Sequence, residues 1–210
     1  MENWITLIGM AFVMTATPGP NNVMVTASGA TWGYRRTLPH ILGISFGFPP
    51  MVLAVGLGLA EVIRAVPAFG PILAVVGLVV VARLTWKIAT AKPPSADNAT
   101  RSGRPMRFIE AAAFQWINPK AWIAALAVTA TQVNLDSGVM APWLQVLLVA
   151  LVFLLVCIPS VSAWTLFGSA IGRLLHTPLH RKCFNGVMAA LLAISMVPAL
   201  LAGLEPGSIK

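Results

Sequence analysis

Six apolar runs, each about as long as a membrane-crossing helix, sharply limit what this chain can fold into. They cover residues 4–27, 39–60, 67–90, 108–133, 142–167 and 184–204 of 210. An α-helix needs roughly 20 apolar residues to cross about 30 Å of hydrocarbon, and each run supplies them. A transmembrane β-barrel would show short alternating segments, which are not seen. A soluble globule is excluded by composition, with 58% hydrophobic and only 10% charged residues. So little polar surface cannot cover so much apolar surface. Intrinsic disorder requires low hydrophobicity and is excluded too. The expected fold class is all-α: a polytopic membrane protein with six transmembrane helices in one domain, residues 1–210.

Charge orients the expected helices. The net charge is +8, which in a soluble protein would point to nucleic acid. Here ten of the fourteen Lys and Arg lie in three connections. Residues 28–38 carry Arg35 and Arg36, and 87–107 carry Lys87, Lys92, Arg101, Arg104 and Arg107. Residues 168–183 carry Arg173, Arg181 and Lys182. Basic connections stay in the cytoplasm. The other connections hold Glu61, Arg64 and Asp136, and both termini fall with them, outside. The partners implied are the lipid bilayer and a small solute, not nucleic acid, and a homo-oligomer is compatible with the pattern. Met1-Glu2-Asn3 lacks the basic start of a signal peptide, so the first run reads as a retained span. Cys157 and Cys183 are too few for a disulfide framework or thiolate metal site and read as packing residues.

Six spans with a long middle connection suggest halves of three, about 1–90 and 108–210, joined by a cytoplasmic linker, 91–107. Three is odd, so the second half would be inverted, a common transporter plan. The first span of each half carries an interruption. One is Thr17-Pro18-Gly19-Pro20-Asn21-Asn22; the other is Asn118-Pro119-Lys120. Proline removes a backbone donor and clashes with the preceding turn, so both helices should break. Each backbone group freed in lipid costs several kcal/mol unless protein or water satisfies it. Asn21, Asn22 and Asn118 can supply partners, and Asn is a preferred helix N-cap. A half-helix N-terminus suits a carboxylate, and Lys120 adds a full charge. Lysine deep in a span is expensive and marks function. The expected substrate-binding set is therefore Pro18, Gly19, Pro20, Asn21, Asn22, Asn118, Pro119 and Lys120.

These motifs resemble the LysE/RhtB family of amino-acid exporters, which carries Pro-Gly-Pro-Asn in its first span and Asn-Pro-Lys in its fourth. Gly33, Gly43, Gly47, Gly77 and Trp86-Lys87 also fall at the family's positions. Trp86-Lys87-Ile88-Ala89-Thr90 is similar to the branch that exports cysteine and O-acetylserine. The chain departs from the family at Phe48, where many members have Asp, and at Arg83, where they have Tyr. The resemblance implies an inner-membrane exporter of small amino acids or derivatives. The two broken helices suggest alternating access about a midplane site, and without a G-x-x-x-x-G-K-S/T motif exchange with protons is the default driver, with no cofactor.

Other residues carry competing readings. Gly43-Ile44-Ser45-Phe46-Gly47 fits the G-x-S-x-G pattern of a serine nucleophile, but that motif needs a strand-turn-helix context. His40 lies five residues before Ser45, about 140° around a helix, and is poorly placed as its base. A small-residue packing face is the plainer account. An intramembrane hydrolase using Ser45 and a non-transporting accessory subunit are the rival functions. His176 and His180 have i, i+4 spacing, but Pro178 intervenes and no carboxylate lies nearby, so no metal site is expected. Glu110, at the cytoplasmic end of the fourth run, is the candidate proton carrier. An interfacial pairing with Arg107 or Arg83 is the plainer account. Arg83 precedes Lys87 by one turn and can snorkel to the interface. Trp4, Trp32, Trp86 and Trp143 sit where an aromatic belt would lie.

Overall fold

The computed structural model describes residues 4–61, 65–66, 68–90, 104–134, 140–175, 177–195 and 197. Both termini, most of the linker (with Lys92 and Arg101), Arg64, Asp136, His176 and the last part of the sixth apolar run lie outside them.

Eight α-helices and no strand are found among the described residues. They are α1 (Trp4–Ala16), α2 (Pro20–Trp32), α3 (Tyr34–Ala54), α4 (Phe69–Ala89), α5 (Phe108–Gln115), α6 (Pro119–Gln132), α7 (Pro142–Gly172) and α8 (Pro178–Ser195). A π-helical turn, Val55–Leu59, extends α3 and contains Gly58 at φ 128°. The chain leaves helical geometry at Thr17–Gly19, between α1 and α2, and at Trp116–Asn118, between α5 and α6. Both gaps fall inside apolar runs. Tyr34–Leu59, with 26 residues, and α7, with 31, are long and apolar enough to cross a membrane.

Two connections expected from charge are shorter than the sequence suggested. Residues 28–38 are helical except for Gly33, which joins α2 directly to α3 at φ 79°. This left-handed conformation suits glycine, and the Gly33 N–H donates to the Gly29 carbonyl at 2.9 Å. Arg35 and Arg36 are exposed on the first turn of α3. Arginine is a good helix former, so a basic pair does not end a helix. Likewise α7 runs on to Gly172 and α8 begins at Pro178, earlier than the expected 184. The glycines of 168–172 are packing positions, not loop positions.

The helices associate in close pairs. On α2 and α7, a Cβ at Gly29 would collide with the Thr165 carbonyl, and one at Gly168 with the Thr26 carbonyl. Gly43 and Gly47 of α3 approach the backbone of α5 at Phe108 and Ala112 in the same way. Such contact between backbones is the usual benefit of small residues in apolar helices. One core joins α1, α3, α6 and α7 through Leu7, Met51, Val52, Ala125, Val146 and Phe153. A second holds α4 and α8 against α2 through Val23, Val81, Met188 and Leu192. The outside of the bundle is also apolar: Ile5 is 83% exposed, Ile109 72% and Leu155 67%. Trp4, Trp86 and Trp143 are exposed near helix ends, and Trp32 is half-buried.

Candidate functional site

At the first gap, the carbonyls freed at the end of α1 can be followed one by one. The Asn22 amide donates to the Thr15 carbonyl and to the Thr17 carbonyl, both at 2.8 Å. The Trp164 indole of α7 donates to the Ala16 carbonyl at 3.0 Å. The Lys120 ammonium donates to the Thr17 carbonyl at 2.9 Å, to Thr17 Oγ1 at 2.8 Å and to the Pro18 carbonyl at 3.0 Å. Every carbonyl from Thr15 to Pro18 thus has a donor, as an apolar surrounding requires. A lysine at a helix C-terminus also meets the negative end of the helix dipole.

The N-cap of α2 is Gly19, in an extended conformation, and not one of the asparagines. Pro20 takes the first helical position, where its missing N–H costs nothing. Gly19 offers no side-chain cap, and among the described residues no backbone partner is found for the N–H groups of Asn21 and Asn22 in the first turn. At the second gap Asn118 is the N-cap: its Oδ1 accepts from the Lys120 N–H at 3.2 Å, with Pro119 following. The end of α5 tightens through bonds from Trp116, Ile117 and Asn118 back to residues three earlier. The Trp122 indole donates to the Trp116 carbonyl at 2.9 Å, and the two rings meet edge to face.

The two gaps touch. Asn21 Nδ2 donates to Gln115 Oε1 at 2.9 Å, and Gln115 Nε2 donates back to Asn21 Oδ1 at 3.3 Å. Gln115 is 1% exposed and also donates to the Ala111 carbonyl. With the Lys120 contacts, this amide pair joins the start of α2 to the end of α5, and the end of α1 to the start of α6.

A cavity of about 60 Å³ lies where these ends converge. A water molecule needs about 10–15 Å³ on this measure, so the space suits a few non-hydrogen groups. Six of the eight sequence-predicted binding residues line it: Gly19, Pro20, Asn21, Asn22, Asn118 and Lys120. Thr15 and Gln115 add polar groups, while Ile44, Phe48 and Phe153 supply apolar surface. Pro18 and Pro119 are not in the lining; Pro18 contributes its carbonyl to Lys120, and Pro119 packs where a side chain on Gly77 would lie. Gln115 and Thr17 were missed in the sequence. Their roles depend on partners 94 and 103 residues away.

The remaining candidates lie elsewhere. Glu110 pairs with Arg104 through both carboxylate oxygens, one contact measuring 2.7 Å, and also accepts from the Arg107 N–H at 2.9 Å. Its guanidinium partner is therefore Arg104, rather than Arg107 or Arg83. The hydrogen bond to Glu110 holds Arg104 above the usual guanidinium range. Ser45 is fully buried, and its hydroxyl lies 3.7 Å from the Cys157 thiol, its donor-acceptor partner. His40 is buried, with Nδ1 unpartnered among the described residues. Among the described residues no three His, Cys, Asp or Glu converge as a metal site would need.

A helical bundle with an apolar exterior and two interrupted helices meeting at a small, mainly apolar cavity with a few convergent polar groups has the build of a solute transporter. The model of the LysE type translocator family matches residues 12–201. The chain belongs to this family, and it is a transporter and not an enzyme. It is 28% identical over 187 residues to a cysteine/O-acetylserine efflux protein of Klebsiella pneumoniae subsp. pneumoniae, covering 88% of this chain and 90% of that one. It is 30% identical over 190 residues to a cysteine/O-acetylserine efflux protein of Escherichia coli, covering 88% and 91%. No solved structure matches the chain significantly.

Proposed function

We propose that this protein exports a small amino acid or close derivative, of the class of cysteine and O-acetylserine, across the inner membrane. The observation that carries the reading is the cavity between the two helix gaps, where four amide side chains and one ammonium converge beside the uncapped start of α2. Its size suits a small solute. The half-helix start at Asn21–Asn22 and Lys120 would receive the substrate carboxylate. Asn118 and Gln115 would order the polar groups around it. The apolar outer faces and the distribution of basic residues support six membrane crossings with both termini outside.

The mechanism in this reading is alternating access, with the two halves as inverted repeats rocking about the cavity. Export is coupled to proton exchange, and Glu110 is the assigned carboxylate. To take a proton it must first release Arg104 and the Arg107 N–H, so its protonation would loosen the start of α5. Glu110→Gln should then remove the dependence of export on the proton gradient without removing the protein from the membrane.

The deciding experiment is the export phenotype. Cells overproducing the protein should resist, and excrete, cysteine or O-acetylserine. Unchanged excretion of these and other small amino acids, with the protein present in the membrane, would favour an accessory subunit instead.

A further inference from the structure

The acceptors that hold Lys120 form a binding site for a primary ammonium. Thr17 O, Thr17 Oγ1 and Pro18 O take its three protons at 2.8–3.0 Å. This satisfies a –NH₃⁺ group completely, since it has three donors and no acceptor. Gly19 makes room for the lysine: a Cβ there would lie 2.9 Å from Lys120 Cδ and 3.0 Å from Nζ. Lys120 also lines the cavity. The N–H groups of Asn21 and Asn22, without a backbone partner among the described residues, follow a few residues later in the first turn of α2. The start of α2, to which the proposed function assigns the carboxylate, follows Thr17 and Pro18 after Gly19 alone. An α-amino acid likewise carries its ammonium and carboxylate on one carbon.

We propose that Thr17 and Pro18 are the substrate's α-ammonium subsite, and that Lys120 occupies it as a tethered stand-in when no substrate is bound. On binding, the substrate ammonium inherits the three acceptors. The displaced Lys120 ammonium turns to the α-carboxylate, which also meets the Asn21 and Asn22 N–H groups. Charge is conserved throughout: one ammonium replaces another at the end of α1, and the freed one is neutralised by the carboxylate. The site therefore requires a zwitterion. A solute with a blocked amine cannot displace Lys120, and one without a carboxylate gives the displaced charge no partner. This proposal rests on the assignment of the cavity to amino-acid export, but its core can be tested without any transported substrate.

The test uses purified full-length protein in detergent, with ethylammonium as the probe. In Lys120→Ala the subsite is vacant, and ethylammonium should raise the unfolding midpoint by ~3–6 °C at about ten times its Kd. Tetramethylammonium, which has no N–H, should not. The wild-type midpoint should not respond, because Lys120 fills the site. Thr17→Val, added to Lys120→Ala, removes Oγ1 and should weaken the ethylammonium response about tenfold. If Lys120→Ala unfolds on extraction, ethylammonium in the buffer should recover it and tetramethylammonium should not. Equal responses to both amines, no response, or a stronger response to Na⁺ would overturn the proposal; the last would make this a cation-coupling site. A separate transport arm reads the assignment beneath it. Cysteine should compete for export in wild-type vesicles, and N-acetylcysteine and cysteamine should not. Loss of cysteine transport with a retained ethylammonium response would sink the substrate assignment and leave the subsite standing.

Discussion

Asn21 and Gln115 exchange a pair of amide hydrogen bonds across the two helix gaps, at 2.9 and 3.3 Å, although 94 residues separate them in the chain. Asn21→Ala would leave Gln115 Oε1 without its donor on a side chain that is 1% exposed. An unsatisfied buried amide costs about 1–3 kcal/mol. Replacing both by leucine should cost less than the two single alanine changes together, because no polar group is left unpaired. Thermal unfolding in detergent of the single and double alanine variants should give a coupling energy of at least about 0.5 kcal/mol. Additive losses would mean that the pair does not hold the gaps together.

Lys120→Ala should lower both stability and export. It strips donors from the Thr17 and Pro18 carbonyls and removes the full positive charge at the cavity. A hydrogen bond to a charged group is worth about 1.5–3 kcal/mol, so substrate affinity should fall roughly 10- to 100-fold. Lys120→Arg should restore export only in part, since a planar fork cannot replace a compact ammonium with three rotatable donors. Arg83, exposed on α4, should tolerate alanine. Normal export by Lys120→Ala alongside failure of Arg83→Ala would place the essential cation elsewhere.

Two glycine-to-alanine changes should move in opposite directions. Gly168→Ala drives a Cβ into the Thr26 carbonyl of α2, which cannot move aside as a flexible side chain could. Overpacking of this kind costs about 1–3 kcal/mol or more. Gly9→Ala on α1 meets nothing within 4 Å. It should be neutral or stabilise the helix by up to about 1 kcal/mol. Unfolding midpoints of the two variants, measured side by side, check the α2–α7 contact directly.

Membrane orientation can be read with reporter fusions. Fusions after Arg101 and Lys182 should report the cytoplasm, and fusions at either terminus should report the outside. A reporter at Lys182 that is active only outside the cell would reverse the orientation drawn from the basic connections.

The positions of both gaps were legible in the sequence because proline and glycine act locally. Pro18-Gly19-Pro20 and Asn118-Pro119 combine proline with a residue suited to a helix start, whereas lone or paired prolines such as Pro39, Pro49, Pro50 and Pro159 stay inside continuous helices. Asn118 as an N-cap was legible for the same reason. The cap of α2 was not: glycine competes with asparagine there, and the backbone path places Gly19 one residue before Pro20. Gln115 was hidden because a lone amide in an apolar run has no visible partner until α2 is beside it. Thr17 stands in the break that the sequence shows, but its two acceptors gain a role only with Lys120 in place. The connection at 28–38 was misjudged because arginine pairs mark a membrane side without marking a helix end. Charge distribution speaks about orientation, while Gly33 alone determines where the chain turns.

The glycine contacts of α2 with α7 have a mechanical consequence. Helices that touch backbone to backbone have no side-chain padding to shear, so in the proposed cycle α2 and α7 would travel as one piece. Gly43 and Gly47 impose the same rule on α3 and α5. By contrast, α1 meets α7 through side chains: Leu7 and Phe153 share a buried core, Thr15 reaches Ser160, and the Trp164 indole reaches the Ala16 carbonyl. In the proposed alternating-access cycle α1 would part from this body only once those contacts and the Lys120 bonds across Thr17–Gly19 give way.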